Sequence, residues 1–326
     1  MGPRRLAKSA ALTCGPLPGP SPLVTRSTTA PPRRGTLRAL VAALRPPQWV
    51  KALVVLLAPA AAGTLTTPST LANAARALVA FSLVSSALYL VNDVRDAPAD
   101  RLHPTKCRRP VAADEISPAL ALVTAALLTV TAVALALTLA HPLGLLATLG
   151  VYLAATLGYS LGLKRVAVVE LAIVASGFVL RALAGAAATS TPVSSWFLVV
   201  VSFGSLLLVA AKRAGELHHV GAGPTRAVLA AYPERFLDAV LVLAATVTTT
   251  AYCLWAFDGR DTLSTAHHHP LPARLSIVPV VIALLYVMRS AFANELESPE
   301  RLVLSDRVVQ ALGLVWVLLL ALSVYG

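Results

Sequence analysis

The sequence predicts an all-α protein, a polytopic membrane bundle of about nine spanning helices. Three observations carry that prediction. Hydrophobic residues fill 57% of the 326 positions and charged residues only 13%, and the mean hydropathy is +0.75, which fits a lipid-embedded chain rather than a water-soluble one. From about residue 52 to the C-terminus, apolar runs long enough to cross a hydrocarbon core of roughly 30 Å follow one another with short polar breaks. The runs are continuous rather than alternating. Backbone groups in lipid must pair within a helix or a closed barrel, so helices are favoured over strands.

Residues 1–36 hold Arg4, Arg5, Lys8, Arg26, Arg33 and Arg34 among many Pro, Gly, Ser and Thr, which predicts a disordered basic tail rather than a packed unit. No apolar stretch leads to a small-residue cleavage site there, so a secretory signal is not expected. Residues 37–326 are then one transmembrane domain, with spans near 52–68, 71–91, 118–140, 143–163, 166–188, 193–213, 236–257, 273–292 and 307–325. With the N-terminus inside, the tail and the four other cytoplasmic segments carry 9, 5, 2, 4 and 3 Lys or Arg. Only Arg76, Arg260 and Arg274 fall outside, and this asymmetry fits the positive-inside tendency. The net charge of +12 is thus assigned to a membrane surface, and no nucleic-acid partner is implied. Cys14, Cys107 and Cys253 are scattered and odd in number, which argues against a disulfide framework. His267, His268 and His269 read as part of a solvated external loop, since no other ligand-type cluster is near.

The chemistry concentrates where the second span reaches the cytoplasm. At about 100° per residue, Tyr89, Asp93, Asp96 and Asp100 share one helix face with Asn92 beside them. Carboxylates so close repel unless a cation sits among them, and hard oxygen ligands suit magnesium, which keeps some waters and adds substrate phosphates. The competing reading is a solvated helix end. Pro98 removes one helical hydrogen bond and is expected to kink the face before Asp100. A basic loop follows, with Arg101, Lys106, Arg108 and Arg109; these cations suit either a metal-bound diphosphate or anionic lipid headgroups.

Two further clusters are predicted on the same side. Tyr159 and Lys164 close the fourth span, while Glu170 and Arg181 share a face of the fifth, with Gly177 between them. An arginine that deep lines a polar cavity or has a partner. Lys212 and Arg213 end the sixth span, with Glu216 four residues beyond Lys212, as in an ordinary helix pair or a set of snorkelling anchors. Trp49 and Lys51 mark the entry to the first span.

The Asn-Asp-x-x-Asp-x-x-x-Asp pattern from Asn92 to Asp100 resembles the first signature of the UbiA family of membrane transferases. Segments 45–51, 89–110, 159–164, 170–185, 195–216 and 299–310 narrow the likeness to the decaprenyl-phosphate phosphoribosyltransferases of actinobacteria. The resemblance implies a UbiA-like fold in the plasma membrane with its site on the cytoplasmic side. The implied reaction is transfer of 5-phosphoribose from phosphoribosyl diphosphate to a polyprenyl phosphate with release of diphosphate, toward the lipid-linked arabinose donor of the cell wall. It also implies Mg2+ on Asn92 and Asp96, with Asp93, Asp96 and Asp100 as the catalytic acids. Lys51, Tyr89, Lys106, Arg109, Tyr159, Lys164, Glu170, Arg181 and Lys212 are the implied substrate-binding residues. The oligomeric state is left open, a homo-oligomer included. Two rivals share these features: a UbiA-type prenyltransferase with an aromatic acceptor, and an ion transporter in which charges would line the bilayer midplane.

Overall fold

Prolines set many of the helix starts. Helices α3 (Pro68–Arg101), α4 (Pro118–Leu137), α5 (Pro142–Leu161) and α9 (Pro270–Leu275) each carry Pro in the first turn, where the missing N–H would have had no intrahelical acceptor. The structure, a computed structural model, describes residues 34–103, 105–220, 227–233, 235–257, 269–293 and 306–326. The other helices are α1 (Thr36–Leu44), α2 (Leu57–Ala61), α6 (Val169–Ala188), α7 (Ser195–Val220), α8 (Phe236–Phe257), α10 (Ile277–Phe292) and α11 (Arg307–Tyr325). A 3-10 helix over Pro46–Leu56 joins α1 to α2, and shorter ones cover Lys106–Arg108, Leu163–Arg165 and Ala227–Ala231. No strand occurs among the described residues, and nine of their helical stretches are long and apolar enough to cross a membrane.

The first span differs from expectation. It begins at Thr36 rather than near 52 and ends at Ala61. Pro46 and Pro47 have no N–H to donate and cannot continue the helix; Arg45 caps α1 in a left-handed conformation at φ 56° and the chain restarts as the 3-10 segment. The second span runs on past residue 91 to Arg101, so the first ten positions of the expected 92–117 loop are helical, and the helix continues through Pro98. The sixth span likewise extends past residue 213, which keeps Lys212, Arg213 and Glu216 on one helix. Of the tail expected over 1–36, residues 1–33 lie outside the described residues, as do the 299–305 part of the family-like segment, His267 and His268, while Thr36 already begins α1.

Helices α3 and α6 are the innermost, with 61% and 50% of their apolar windows buried, against 17% for the first and last spans. Small residues make that possible: Ala77, Ala80, Ala132, Ala136, Ala184 and Ala188 line the contacts among α3, α4, α5 and α6, the close-packing device of membrane helices. A Cβ on Gly185 of α6 would lie 1.7 Å from the Val55 carbonyl oxygen, so only glycine lets α6 seat against the 3-10 segment. At the end of the bundle that carries Asn92–Asp100, Val111 and Ile116 pack with Ala39 and Ala43 against Leu90 and Ala97. This fixes α1 and the 102–117 loop beside the last turns of α3.

Candidate active site

The motif on α3 divides into two pairs. Asn92 and Asp96 lie about 40° apart around the helix, and Asp93 and Asp100 about 20° apart, so each pair meets a different neighbour. Asp93 and Asp100 are 2% and 4% exposed. Arg109 reaches Asp100 Oδ2 at 2.7 Å and Asp93 Oδ1 at 3.3 Å, and Arg45 bonds the same Asp93 oxygen. Arg45 also stacks on the Tyr89 ring, 4.8 Å from its centroid. The inner acids therefore hold the α1 junction and the basic loop onto α3. Arg101 reinforces the loop through Asp114 (2.7 Å) and the Ala112 carbonyl (3.3 Å). Asp93 Oδ2 is buried without a partner.

Asn92 and Asp96 face α5 and the turn that follows it. Ser160 donates to Asn92 Oδ1 at 2.6 Å, and Lys164 Nζ lies 3.4 Å from Asp96 Oδ1, with both members of the latter pair more than a third exposed. Two oxygen donors one turn apart, partly open and beside a cation, fit a small hard divalent ion that takes the rest of its shell from water and phosphate. Among the described residues no group of three or more His, Cys, Asp or Glu could enclose a metal by itself. Lys106 is half-buried in the loop at this end, and Lys51, also half-buried, lies on the 3-10 segment. The segment bearing Lys51 is pinned by Trp49 Nε1 donating to Ser86 Oγ (3.0 Å), which in turn donates to the Leu44 carbonyl (3.0 Å).

Glu170 and Arg181, expected to share a face, serve different neighbours. Glu170 is fully buried and takes both its oxygens to Arg213 of α7, at 2.8 to 3.0 Å from Nε and Nη2. Arg213 also reaches Glu216 Oε2 at 2.7 Å and the Tyr159 hydroxyl at 3.5 Å. Tyr232 donates to Glu170 Oε1 at 3.1 Å while accepting from the Val168 N–H at 3.2 Å. Burial first, and then the Glu170 carboxylate, push its phenol up to about 12, so it stays a donor at neutral pH. Val168 has φ 67°, and Val169 N–H reaches the Ala167 carbonyl at 2.8 Å, a strained γ-turn for a β-branched residue. Sequence reasoning missed Arg213 by grouping it with Lys212 as an anchor. The available signal was Glu170 itself, an acid at the start of an apolar span that needs a cation.

Arg181 is 5% exposed. It donates to the Gly177 carbonyl (2.6 Å), the Tyr152 hydroxyl (2.9 Å) and Ser85 Oγ (3.2 Å), and its guanidinium lies within 6 Å of the Phe81, Tyr152 and Phe178 rings. Tyr159 and Lys212 are half-buried toward the same end of α5 and α7.

Spanning helices with acids and cations gathered at one end describe a multi-pass integral membrane protein. The chain belongs to the UbiA prenyltransferase family, whose pattern it matches over residues 51–319. It is 42% identical over 296 residues to the decaprenyl-phosphate phosphoribosyltransferase of Mycobacterium tuberculosis, covering 89% of this chain and 95% of that one. With the enzyme of the same name from Corynebacterium glutamicum it is 38% identical over 302 residues, covering 90% and 89%. The fold matches a UbiA homolog from Archaeoglobus fulgidus bound to GPP and Mg2+, with a TM-score of 0.64 at 18% identity over 87% of this chain and 97% of that one.

Proposed function

We propose that the protein transfers 5-phosphoribose from phosphoribosyl diphosphate to decaprenyl phosphate, or a close polyprenyl phosphate, and releases diphosphate. The observation that carries this reading is the 38–42% identity, over about nine-tenths of both chains, to enzymes named for that activity. The cation-rich site supports it. An oxygen of the lipid phosphate attacks C1 of the ribose, the bond from C1 to the diphosphate oxygen breaks with its electrons on diphosphate, and C1 inverts. The nucleophile is already anionic, so no strong general base is required, and no histidine is placed as one. Lys164 and Lys106 hold the leaving diphosphate, where charge grows in the transition state. Lys51, Tyr89 and Arg181 bind the remainder of the donor, and Tyr159 and Lys212 line its rim.

Asn92 and Asp96 would hold magnesium, which when bound supplies positive charge beside the departing diphosphate. Asp93 and Asp100 orient Arg109 and Arg45 toward the anions, while the Glu170–Arg213 pair ties α6 to α7. The site opens to the cytoplasmic side of the plasma membrane, a placement supported by the excess of Lys and Arg at that end. The test uses membranes carrying the protein, radiolabelled phosphoribosyl diphosphate, polyprenyl phosphate and Mg2+. Lipid-extractable label is expected, and its loss when Mg2+ is chelated. Product only from a prenyl diphosphate and an aromatic acceptor would assign the site to prenyl transfer instead.

A further inference from the structure

Helix α3 carries a polar ladder that runs inward from the metal-facing pair. Ser85, Tyr89, Asn92 and Asp96 fall within an arc of about 60°, and Ser85 lies roughly 10 Å along the axis from Asn92 at 1.5 Å per residue. Helix α5 follows alongside in the same direction: its Tyr152 hydroxyl meets Ser85 at 3.3 Å and its Ser160 meets Asn92 at 2.6 Å. The ladder ends on Arg181 of α6. Among the described residues that guanidinium donates to uncharged oxygens, its Nε has no partner and it forms no salt bridge. Three aromatic rings offset part of the charge. A buried cation inside a membrane bundle with no anion beside it is costly unless a ligand brings one.

We infer that Arg181 receives the 5-phosphate of the pentosyl donor and makes the site selective for a 5-phosphorylated sugar. The inference rests on the transfer proposed above. A pentose phosphorylated at both ends is a short polar body with an anion at each end, as the ladder is short, polar and bounded by cations. Lys164 and the Asn92–Asp96 pair take the diphosphate end, Tyr89 lies between, and Arg181 closes the other. The lipid phosphate has one anionic group, which must come within bonding distance of C1 and so belongs beside the diphosphate.

The experiment compares two donors in one preparation: phosphoribosyl diphosphate, and ribosyl 1-diphosphate lacking the 5-phosphate. The ratio of their kcat/KM values cancels differences in folded fraction. The wild type is expected to prefer the phosphorylated donor strongly, and Arg181→Ala to cut that ratio by about 10- to 100-fold, the size of a lost charge-assisted contact. Arg181→Lys should fall between, with the KM for polyprenyl phosphate unchanged in both. An unchanged ratio in Arg181→Ala overturns the assignment. Joined to a raised KM for the acceptor, that result gives the arginine to the lipid phosphate; joined only to lower thermal stability, it makes Arg181 a tie between helices. If Arg181→Ala turns over neither donor, calorimetric binding of ribose 5-phosphate to the purified variant decides, and retained binding overturns the proposal. A wild type that uses both donors equally removes this inference alone, whereas one that forms lipid product from neither removes the proposed transfer with it.

Discussion

Arg213 and Arg181 lie on α7 and α6, are 3% and 5% exposed, and meet opposite surroundings. Arg213 holds a fully buried carboxylate on its Nε and Nη2 edge, a second acid at 2.7 Å from Nη1, and a tyrosine keeps the first acid in place. Arg181 has a backbone carbonyl, two hydroxyls and three rings. The first is a closed pair, complete within the protein. The second retains a full charge that no acid among the described residues neutralises. Burial alone therefore does not tell a structural arginine from a ligand-binding one; the identity of its partners does.

Removing one member of each system would sharpen that contrast. The largest effect is expected from Glu170→Ala, which leaves Arg213 charged and buried and should cost about 3–5 kcal/mol of stability, read as thermal unfolding in detergent. The double variant Glu170→Leu with Arg213→Met should recover most of it, and a single variant as stable as the wild type would break the comparison. Arg181→Met should cost less, about 1–2 kcal/mol, because it strands no opposite charge. A loss as large as that of Glu170→Ala would place Arg181 among the structural pairs. Smaller still is the expected stability change for Asp96→Ala, under about 1 kcal/mol, since its contact with Lys164 is partly exposed and long. That variant should nevertheless lose turnover, and full activity would remove the metal role from Asp96.

The smallest effect concerns pH. Tyr232 has a phenol pushed up to about 12, above its ordinary value near 10. A raised folded value means its contribution is complete below the unfolded value and is lost as pH rises through the folded one. Stability should therefore show no contribution from Tyr232 titration between pH 6 and 9, and Tyr232→Phe should flatten the alkaline limb between about pH 10 and 12. An alkaline limb identical in both proteins would detach this phenol from the Glu170 pair.

Much of the architecture was legible because lipid imposes simple rules. Continuous apolar runs gave the spans from the second onward to within a few residues except where charged motifs extend helices, and proline marked several starts. The motif's arc on α3 followed from helical periodicity alone. Its division into inner and outer pairs did not, because periodicity fixes angles around one helix but not what stands opposite. Arg45 and Arg109 come from segments folded back by a proline break and a packed loop, and neither return path is written in local pattern. The same limit hid the partner of Glu170. Spacing linked it to Arg181 eleven positions on, whereas Arg213, 43 positions away, was supplied by the packing of α6 against α7.

Gly185 has a consequence for how this chain can vary. With a carbonyl oxygen 1.7 Å from where any side chain would begin, the position admits no substitution unless the 3-10 segment moves, and that segment bears Lys51. A saturation library at residue 185, selected for function, should return a single amino acid, while neighbouring Ala186 and Ala187 tolerate more. The spacing between the segment that bears Lys51 and the helix that carries the deep arginine is thus set by an atom the protein does not have.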